Sequence, residues 1–363
     1  MVSSRRGETA RRRAQVVGLG LIGSSVGLAM RSAGWQVSGE DLDPARARRA
    51  LELGAVDRVG RDDEASVAVV ATPVSTVPTV AADLLARGRA DLVVTDVGGV
   101  KGPVVAAVGH PRFVGGHPMA GSEQEGPDGA DAELFSGATW VITPTLQTDP
   151  RAYALVRSLV GSLGAEVVDL EPDRHDALVA VVSHVPHLTA ATLMALAADA
   201  AVEQGALLRL AAGGFRDMTR VAAGSPAIWP DVFRDNADAV LRVLDELAAR
   251  IAAARSIVAE QRWTELVDLL EHAREARRNL PPRIAAPEEL AELRVPVPDR
   301  AGVLAEVTTL LGGLGVNVAD LEIAHSAEGD RGVLVMAVDV GDADKARAAL
   351  ADLGYRAAVR RMT

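Results

Sequence analysis

Between residues 14 and 170 the chain alternates two apolar patterns. Short runs rich in valine and alanine, at 14–19, 36–40, 66–71, 91–95, 112–115, 139–143 and 166–170, stop at glycine, proline, threonine or acidic residues and predict buried strands. Between them apolar residues return every three or four positions, after Gly23 through Arg31, over 75–87 and near 151–163, which predicts helices. Alternation at this spacing predicts a mostly parallel, doubly wound α/β sheet, whose ligands lie beyond the carboxyl ends of the strands.

From Pro172 the pattern turns helical. An alanine-rich segment from 176 to about 204 is followed by one or two long amphipathic helices over 230–279, whose apolar faces predict burial against a second subunit. Pro186 is expected to kink or break the first of these segments. The proline-rich stretch 281–291 reads as a linker. Beyond it, strands at 293–297, 321–325, 333–340 and near 356–360, with helices opening at 299–304 and over 343–352, spell a small βαββαβ unit. The chain thus divides into a basic tail (1–13), an α/β domain (14–172), an all-α domain (173–280), the linker (281–291) and a C-terminal domain (292–363).

Composition adds exclusions. The 363 residues are 48% hydrophobic and 24% charged, ordinary for soluble globular domains, but only 3% aromatic, so the core is aliphatic. Cysteine is absent, which rules out disulfides and thiolate metal sites and fits a reducing, cytoplasmic setting. A net charge of −11 argues against nucleic-acid binding. Arginines at 5, 6, 11, 12 and 13 precede a strand rather than the apolar core of a signal peptide, so they read as a solvated tail. Apolar runs such as 177–182 are far shorter than a membrane span, and no membrane partner is expected.

The candidate chemistry sits at the strand ends. Gly18-Leu19-Gly20-Leu21-Ile22-Gly23 lies between a strand and a helix, the setting in which such a loop binds a dinucleotide. Gly18 permits the tight turn, Gly20 lets a pyrophosphate approach the backbone, and Gly23 allows close packing, while the helix start around Leu21 and Ile22 presents free N–H groups. Asp41 follows the second strand, 18 residues past Gly23, close to the spacing of a carboxylate that binds the adenosine ribose. It would repel a 2′-phosphate, so NAD is the expected cofactor. Thr72, Pro73, Gly99 and His117 mark further strand ends.

His117 stands between a glycine pair and Pro118, on what reads as a turn, with Ser122 and Glu123 five and six residues on. Such a residue is either a hydrogen-bonded turn histidine or a proton acceptor near neutral pH, and its place at a strand end favours the second. His184 and His187 share a helical face, as a packed pair, as one substrate-facing residue, or as a metal pair. No acidic or sulfur ligand clusters with them, so no metal is expected. Arg216 and Arg220 lie about one helical turn apart around Asp217. Arginine suits bidentate binding of a carboxylate; Arg216 reads as a surface ion pair, and Arg220 remains open to either role.

Taken in order, GLGLIG, TDVGGVKG, GGHPMAGSE, SHVPH, GGFRDMTR and the downstream Trp229 resemble the prephenate/arogenate dehydrogenase family over residues 14 to about 280, and DRAGVLAEVTTLLGGLGVNVADLEI resembles a regulatory domain of ACT type. The resemblance implies a Rossmann-type NAD-binding domain, a helical substrate and dimerisation domain, and a ferredoxin-like ACT domain, in a cytoplasmic homodimer. It implies oxidative decarboxylation of prephenate, or alternatively arogenate, in tyrosine biosynthesis, under feedback by an amino acid. It also implies His117 as catalytic base, Arg220 on a substrate carboxylate, His187 as a second substrate-binding histidine, and Ser122, Glu123, Trp229 and Gly99 along the pocket. Gly302 and Asn317 mark the implied effector site. One residue departs from the pattern. Gly99 stands where the family commonly has a serine whose hydroxyl links the histidine to the substrate hydroxyl. Without a replacement from Ser122 or water, the expected loss of rate is roughly 10- to 10³-fold. The same departure leaves open a regulator that has lost catalysis, which the presence of both His117 and Arg220 opposes.

Overall fold

The structure is a computed structural model, described here over residues 12–121, 124–203, 207–224, 226–279, 290–298, 300–325 and 331–361. Its contacts form two compact units, Met1–Ala191 with Val221–Ala249, and Thr192–Arg220 with Arg250–Thr363.

The first unit is built on eight strands: β1 (Arg13–Val17), β2 (Gln36–Glu40), β3 (Arg58–Val59), β4 (Val67–Val70), β5 (Val93–Asp96), β6 (Phe113–Pro118), β7 (Thr139–Thr143) and β8 (Glu166–Asp169). Their order is β3-β2-β1-β4-β5-β6-β7-β8, parallel throughout except where β7 runs antiparallel to β6. Helices α1 (Leu21–Ser32), α2 (Pro44–Glu52), α3 (Val77–Arg87), α4 (Gly102–Val108) and α5 (Pro150–Ser162) connect them. Every residue of β4 and β5 is buried, which is why these strands read as continuous apolar runs. Alternate residues of β4 feed two cores: Val67 and Val69 join Val16, Met30 and Trp140, while Ala68 and Val70 join Val77, Leu84 and Val94.

Three elements of this unit are additions to the expected pattern, namely β3, α2 and α4. The start of α2 carried a readable signal, since Asp43 caps it by accepting from the Ala45 N–H (2.8 Å) and Pro44 fills the first helical position. The turn expected at His117 is instead strand. Gly115, Gly116, His117 and Pro118 pair with Thr143, Ile142, Val141 and Trp140 of β7. The glycine pair permits this close passage, because a Cβ at Gly116 would lie 2.6 Å from the Asp96 carbonyl oxygen and 3.0 Å from the Trp140 indole nitrogen.

The expected break at Pro186 is also absent. Helix α6 (Pro172–Val179), a π-helical turn (Ala180–His184) and α7 (Val185–Glu203) follow one another without interruption. Pro186 is the second residue of α7, and the π turn just before it absorbs the misfit of its ring and missing N–H. Within the joined helix the 31 residues Pro172–Val202 have mean hydropathy 1.5 in their most apolar window, so by length and composition alone they are long enough to cross a membrane, unlike the short runs read from sequence. Its first half, however, buries His175, Asp176 and His184, each hydrogen-bonded within the protein.

Further along, Gly213-Gly214 opens a helix, α8 (Gly213–Thr219). The stretch read as one or two helices is three: α9 (Trp229–Asp235), α10 (Ala237–Ala259) and α11 (Trp263–Arg278). Asn236 ends the first, and Gln261 at φ +54° turns the chain between the others. In the second unit β9 (Leu290–Pro298), α12 (Val303–Gly313), β10 (Val318–His325), β11 (Arg331–Asp339), α13 (Val340–Asp352) and β12 (Ala358–Arg361) form a βαββαβ fold with antiparallel order β10-β11-β9-β12. Strand β9 begins inside the stretch read as linker, because Leu290 and Ala291 are buried and pair with Asp339 and Val338.

Two glycines of the first loop make opposite demands. A Cβ at Gly23 would overlap the Gly18 carbonyl oxygen, whereas a Cβ at Gly20 meets nothing within 4 Å. Gly23→Ala is expected to destabilise by roughly 1–3 kcal/mol through overpacking. Gly20→Ala is expected to remain within about 0.5 kcal/mol of wild type. Urea denaturation of the two variants checks this, and equal midpoints would contradict the packing.

Candidate active site

The site grows from charged groups that the sheet buries at its carboxyl edge. Asp96, the last residue of β5, and Lys101 are both fully buried and form an ion pair. Lys101 Nζ also donates to the Gly116 carbonyl (2.9 Å), while the Asp96 carboxylate accepts from the N–H groups of Gly98 (2.9 Å) and Gly116 (3.0 Å). Burial pushes the Lys101 ammonium below the ordinary lysine range, with Asp96 pulling the other way. Removing either partner would strand a buried charge, at a cost of about 3–5 kcal/mol. The pair therefore locks the 96–101 loop onto β6 just before His117.

The ring of His117 is half-buried. Its Nδ1 lies 2.8 Å from Nε2 of His175 on α6, and His175 Nδ1 lies 2.8 Å from an Asp176 carboxylate oxygen. Asp176 accepts as well from the backbone N–H groups of Lys101 (2.8 Å) and Gly102 (2.7 Å). Burial holds the His117 imidazole well below the usual histidine range, and the neighbouring His175, Lys101 and His184 act in the same direction. A neutral imidazole results, as a general base requires. Gly99 borders this ring, since a Cβ there would stand 3.8 Å from both Nε2 and Cε1 of His117, an ordinary contact.

The two histidines of the SHVPH segment do different things. His184 is buried with its Nδ1 3.1 Å from the Asn236 side-chain amide, which also donates to the Asp176 carbonyl (2.9 Å). Burial pushes His184 down to about 4, against the pull of Asp176. His187 instead stacks on Trp229, with centroids 3.7 Å apart and planes 17° from parallel, and Trp229 stacks in turn on Phe233. Val232 of the same short helix packs on the core around Val74 and Val100, which ties α9 to the loop after β4.

The glycine loop after β1 is a tight turn packed against the end of β4. Gly18 has φ +93° and its Cβ would lie 2.5 Å from the Ala71 carbonyl oxygen, so only glycine suits the turn. Helix α1 starts at Leu21 with neither a side-chain cap nor an acidic residue in its first turn, leaving its positive end open beside Gly20 and Ile22. Asp41 accepts from the N–H groups of Leu19 (2.7 Å) and Asp43 (2.8 Å), joining the ends of β1 and β2. Thr72 accepts from the Thr76 hydroxyl (2.8 Å), and the Pro73 carbonyl accepts from the Thr76 N–H (2.9 Å).

Other residues singled out from sequence fall elsewhere. Ser122 and Glu123 lie outside the described residues. Arg220 follows α8 in the second unit. Arg216 donates to the Ala211 carbonyl (3.1 Å). Gly302, at φ +87°, caps α12, and Asn317 precedes β10. The sequence reading missed Asp96, Lys101, His175 and Asp176. A faint signal existed: a histidine and an aspartate stand side by side in the polar first turns of a helix that is alanine-rich and apolar beyond them.

Comparison with known proteins gives this geometry a class. Residues 26–169 match the prephenate dehydrogenase nucleotide-binding domain, 171–272 the prephenate dehydrogenase dimerization domain, and 291–356 the ACT domain. The chain belongs to the prephenate dehydrogenase family. It is 34% identical to the prephenate dehydrogenase of Bacillus subtilis over 92% of this chain and 93% of that protein. Among solved structures it is similar to prephenate dehydrogenase from Aquifex aeolicus in complex with hydroxyphenyl propionate and NAD+ (TM-score 0.70, 28% identity, 75% of this chain and 99% of that one). It is also similar to Synechocystis arogenate dehydrogenase (TM-score 0.65, 32% identity, 73% and 98%).

His184 gives the folded protein a pH dependence of known sign. Its folded pKa of about 4 lies below the ordinary 6.5, so its contribution is present above pH 6.5 and is lost as pH falls toward 4. The full loss is roughly 3 kcal/mol. In urea titrations, stability should fall less steeply between these pH values in His184→Gln than in wild type; identical slopes would contradict the assignment.

Proposed function

We propose that this chain is an NAD-dependent dehydrogenase that converts prephenate to 4-hydroxyphenylpyruvate by oxidative decarboxylation, with His117 as the base. The observation that carries the reading is His117 itself. It is a neutral imidazole at the carboxyl edge of the sheet, with one nitrogen engaged by His175 and the other beside Gly99. The 34% identity to a prephenate dehydrogenase over 92% of the chain supports the substrate.

The nucleotide loop fits a dinucleotide. The open space at Gly20 is what a pyrophosphate would fill, the free start of α1 at Leu21 and Ile22 would bind it, and Gly18 and Gly23 hold the loop tight. Asp41 would take the adenosine ribose and disfavour a 2′-phosphate, with Thr72 and Pro73 along the same edge. NAD+ bound there would supply the acceptor for hydride.

His117 then takes the proton of the substrate hydroxyl at Nε2 while the carbinol hydrogen leaves its carbon as hydride. The ring carboxylate departs as CO2, its bonding pair completes the aromatic ring, and the proton returns from Nε2 to the phenolate oxygen. A dianionic substrate in a chain of net charge −11 needs local cationic recognition. In this reading Arg220 supplies a guanidinium for a carboxylate, and His187, Trp229, Ser122 and Glu123 are further substrate-binding residues. With glycine at 99, a water or Ser122 takes the place of the linking hydroxyl. The ACT domain takes an amino-acid effector near Gly302 and Asn317, and the helical domain forms a homodimer.

The likeness to an arogenate dehydrogenase at 32% identity supports a second reading, in which arogenate is the substrate. Steady-state NADH formation with each compound decides: a higher kcat/KM with prephenate is expected, and a higher one with arogenate would overturn the substrate assignment. His117→Asn is expected to lower kcat by roughly 10²–10⁴-fold, with NAD+ binding measured by calorimetry nearly unchanged. A variant that keeps most of its turnover would remove His117 from the role of base.

A further inference from the structure

The chain His117–His175–Asp176 determines where the His117 proton resides. The Asp176 carboxyl faces donors: the backbone N–H groups of Lys101 and Gly102 at 2.8 and 2.7 Å, and His175 Nδ1 at 2.8 Å. Accepting from all three, it requires His175 to carry its proton on Nδ1, and the Nε2 of a neutral His175 is then an acceptor. The 2.8 Å contact from that Nε2 to His117 Nδ1 can be a hydrogen bond only if Nδ1 of His117 bears the proton. The opposite tautomer would set two lone pairs face to face. His117 Nε2, the atom beside Gly99, is thereby left unprotonated.

We propose that His175 and Asp176 are positioning residues that fix His117 as its Nδ1–H tautomer, making Nε2 the proton acceptor, and that the Asp176 carboxylate counters the imidazolium formed during turnover. The inference rests on His117 being the base. Nearby charges agree with it. Lys101 is neutralised by Asp96 and faces Gly116, and His184 is held by Asn236, so Asp176 is the carboxylate connected to the His117 ring. The same logic governs Ser-His-Asp triads, in which the aspartate holds the imidazole in the working tautomer. Here a second imidazole stands between them. Because Asp176 also pins the backbone at Lys101 and Gly102, one carboxylate orients both the base and the end of the loop that carries Gly99.

The test combines kinetics with spectroscopy on the full chain. His175→Phe keeps a ring in a fully buried position but removes the hydrogen bond. Its kcat is expected to fall roughly 10²-fold or more, with KM for prephenate and affinity for NAD+ nearly unchanged. His175→Gln, whose carbonyl oxygen can accept from His117 Nδ1, should recover about tenfold of that loss. In wild-type enzyme labelled with 15N-histidine, with His117 assigned by its absence from His117→Asn, Nδ1 should resonate as a protonated nitrogen and Nε2 as an unprotonated one. That spectrum is read on wild type, so it decides even if a variant fails to fold. Wild-type kcat in His175→Phe, or a proton on His117 Nε2, would overturn the relay. If His117→Asn is inactive while either of these results holds, only the relay fails. If His117→Asn turns over normally, the base assignment fails with it.

Discussion

Everything at this site depends on a lysine ammonium held where no water reaches it. Lys101 and Asp96 are fully buried, and burial of either alone would cost several kcal/mol, so their pairing fixes the geometry around them. Lys101 is bound by Asp96 and the Gly116 carbonyl through its side chain, and by Asp176 through its backbone N–H. The strand that presents His117, the loop that carries Gly99 and the helix that carries His175 therefore meet at one residue. Partial burial beside the same residues keeps His117 neutral.

Much of this arrangement could be read from the chain. The GLGLIG loop was legible because strand, turn and helix each leave local marks, and the buried strands β4 and β5 were legible because both faces are covered. What was hidden is non-local. Gly115, Gly116 and Pro118 look like strand breakers, and only pairing with β7, more than 20 residues away, makes them strand. Pro186 looks like a helix breaker, and only the π turn before it lets the helix continue. His175 and Asp176 look like the polar start of a surface helix; their partners, His117, Lys101 and Gly102, lie about 60 or more residues upstream.

Family membership and structure together sharpen what Gly99 means. The position borders His117 Nε2 without crowding it, so its lack of a side chain reflects no steric demand from that ring. In the relay proposed here the orientation of His117 comes from His175, on the far nitrogen, and does not require a hydroxyl at 99. The stacked His187 and Trp229 lie in the first unit, and Arg220 belongs to the second.

To act as the base, the half-buried His117 must remain neutral at working pH. The direct measurement is the pH dependence of kcat/KM for prephenate in the wild-type enzyme at saturating NAD+, which reports the essential groups of the form that meets the substrate. A base whose pKa is lowered stays unprotonated as pH falls, so kcat/KM should hold its plateau through pH 6.5 and decline only below it. An acid limb centred at or above 6.5 would contradict the account.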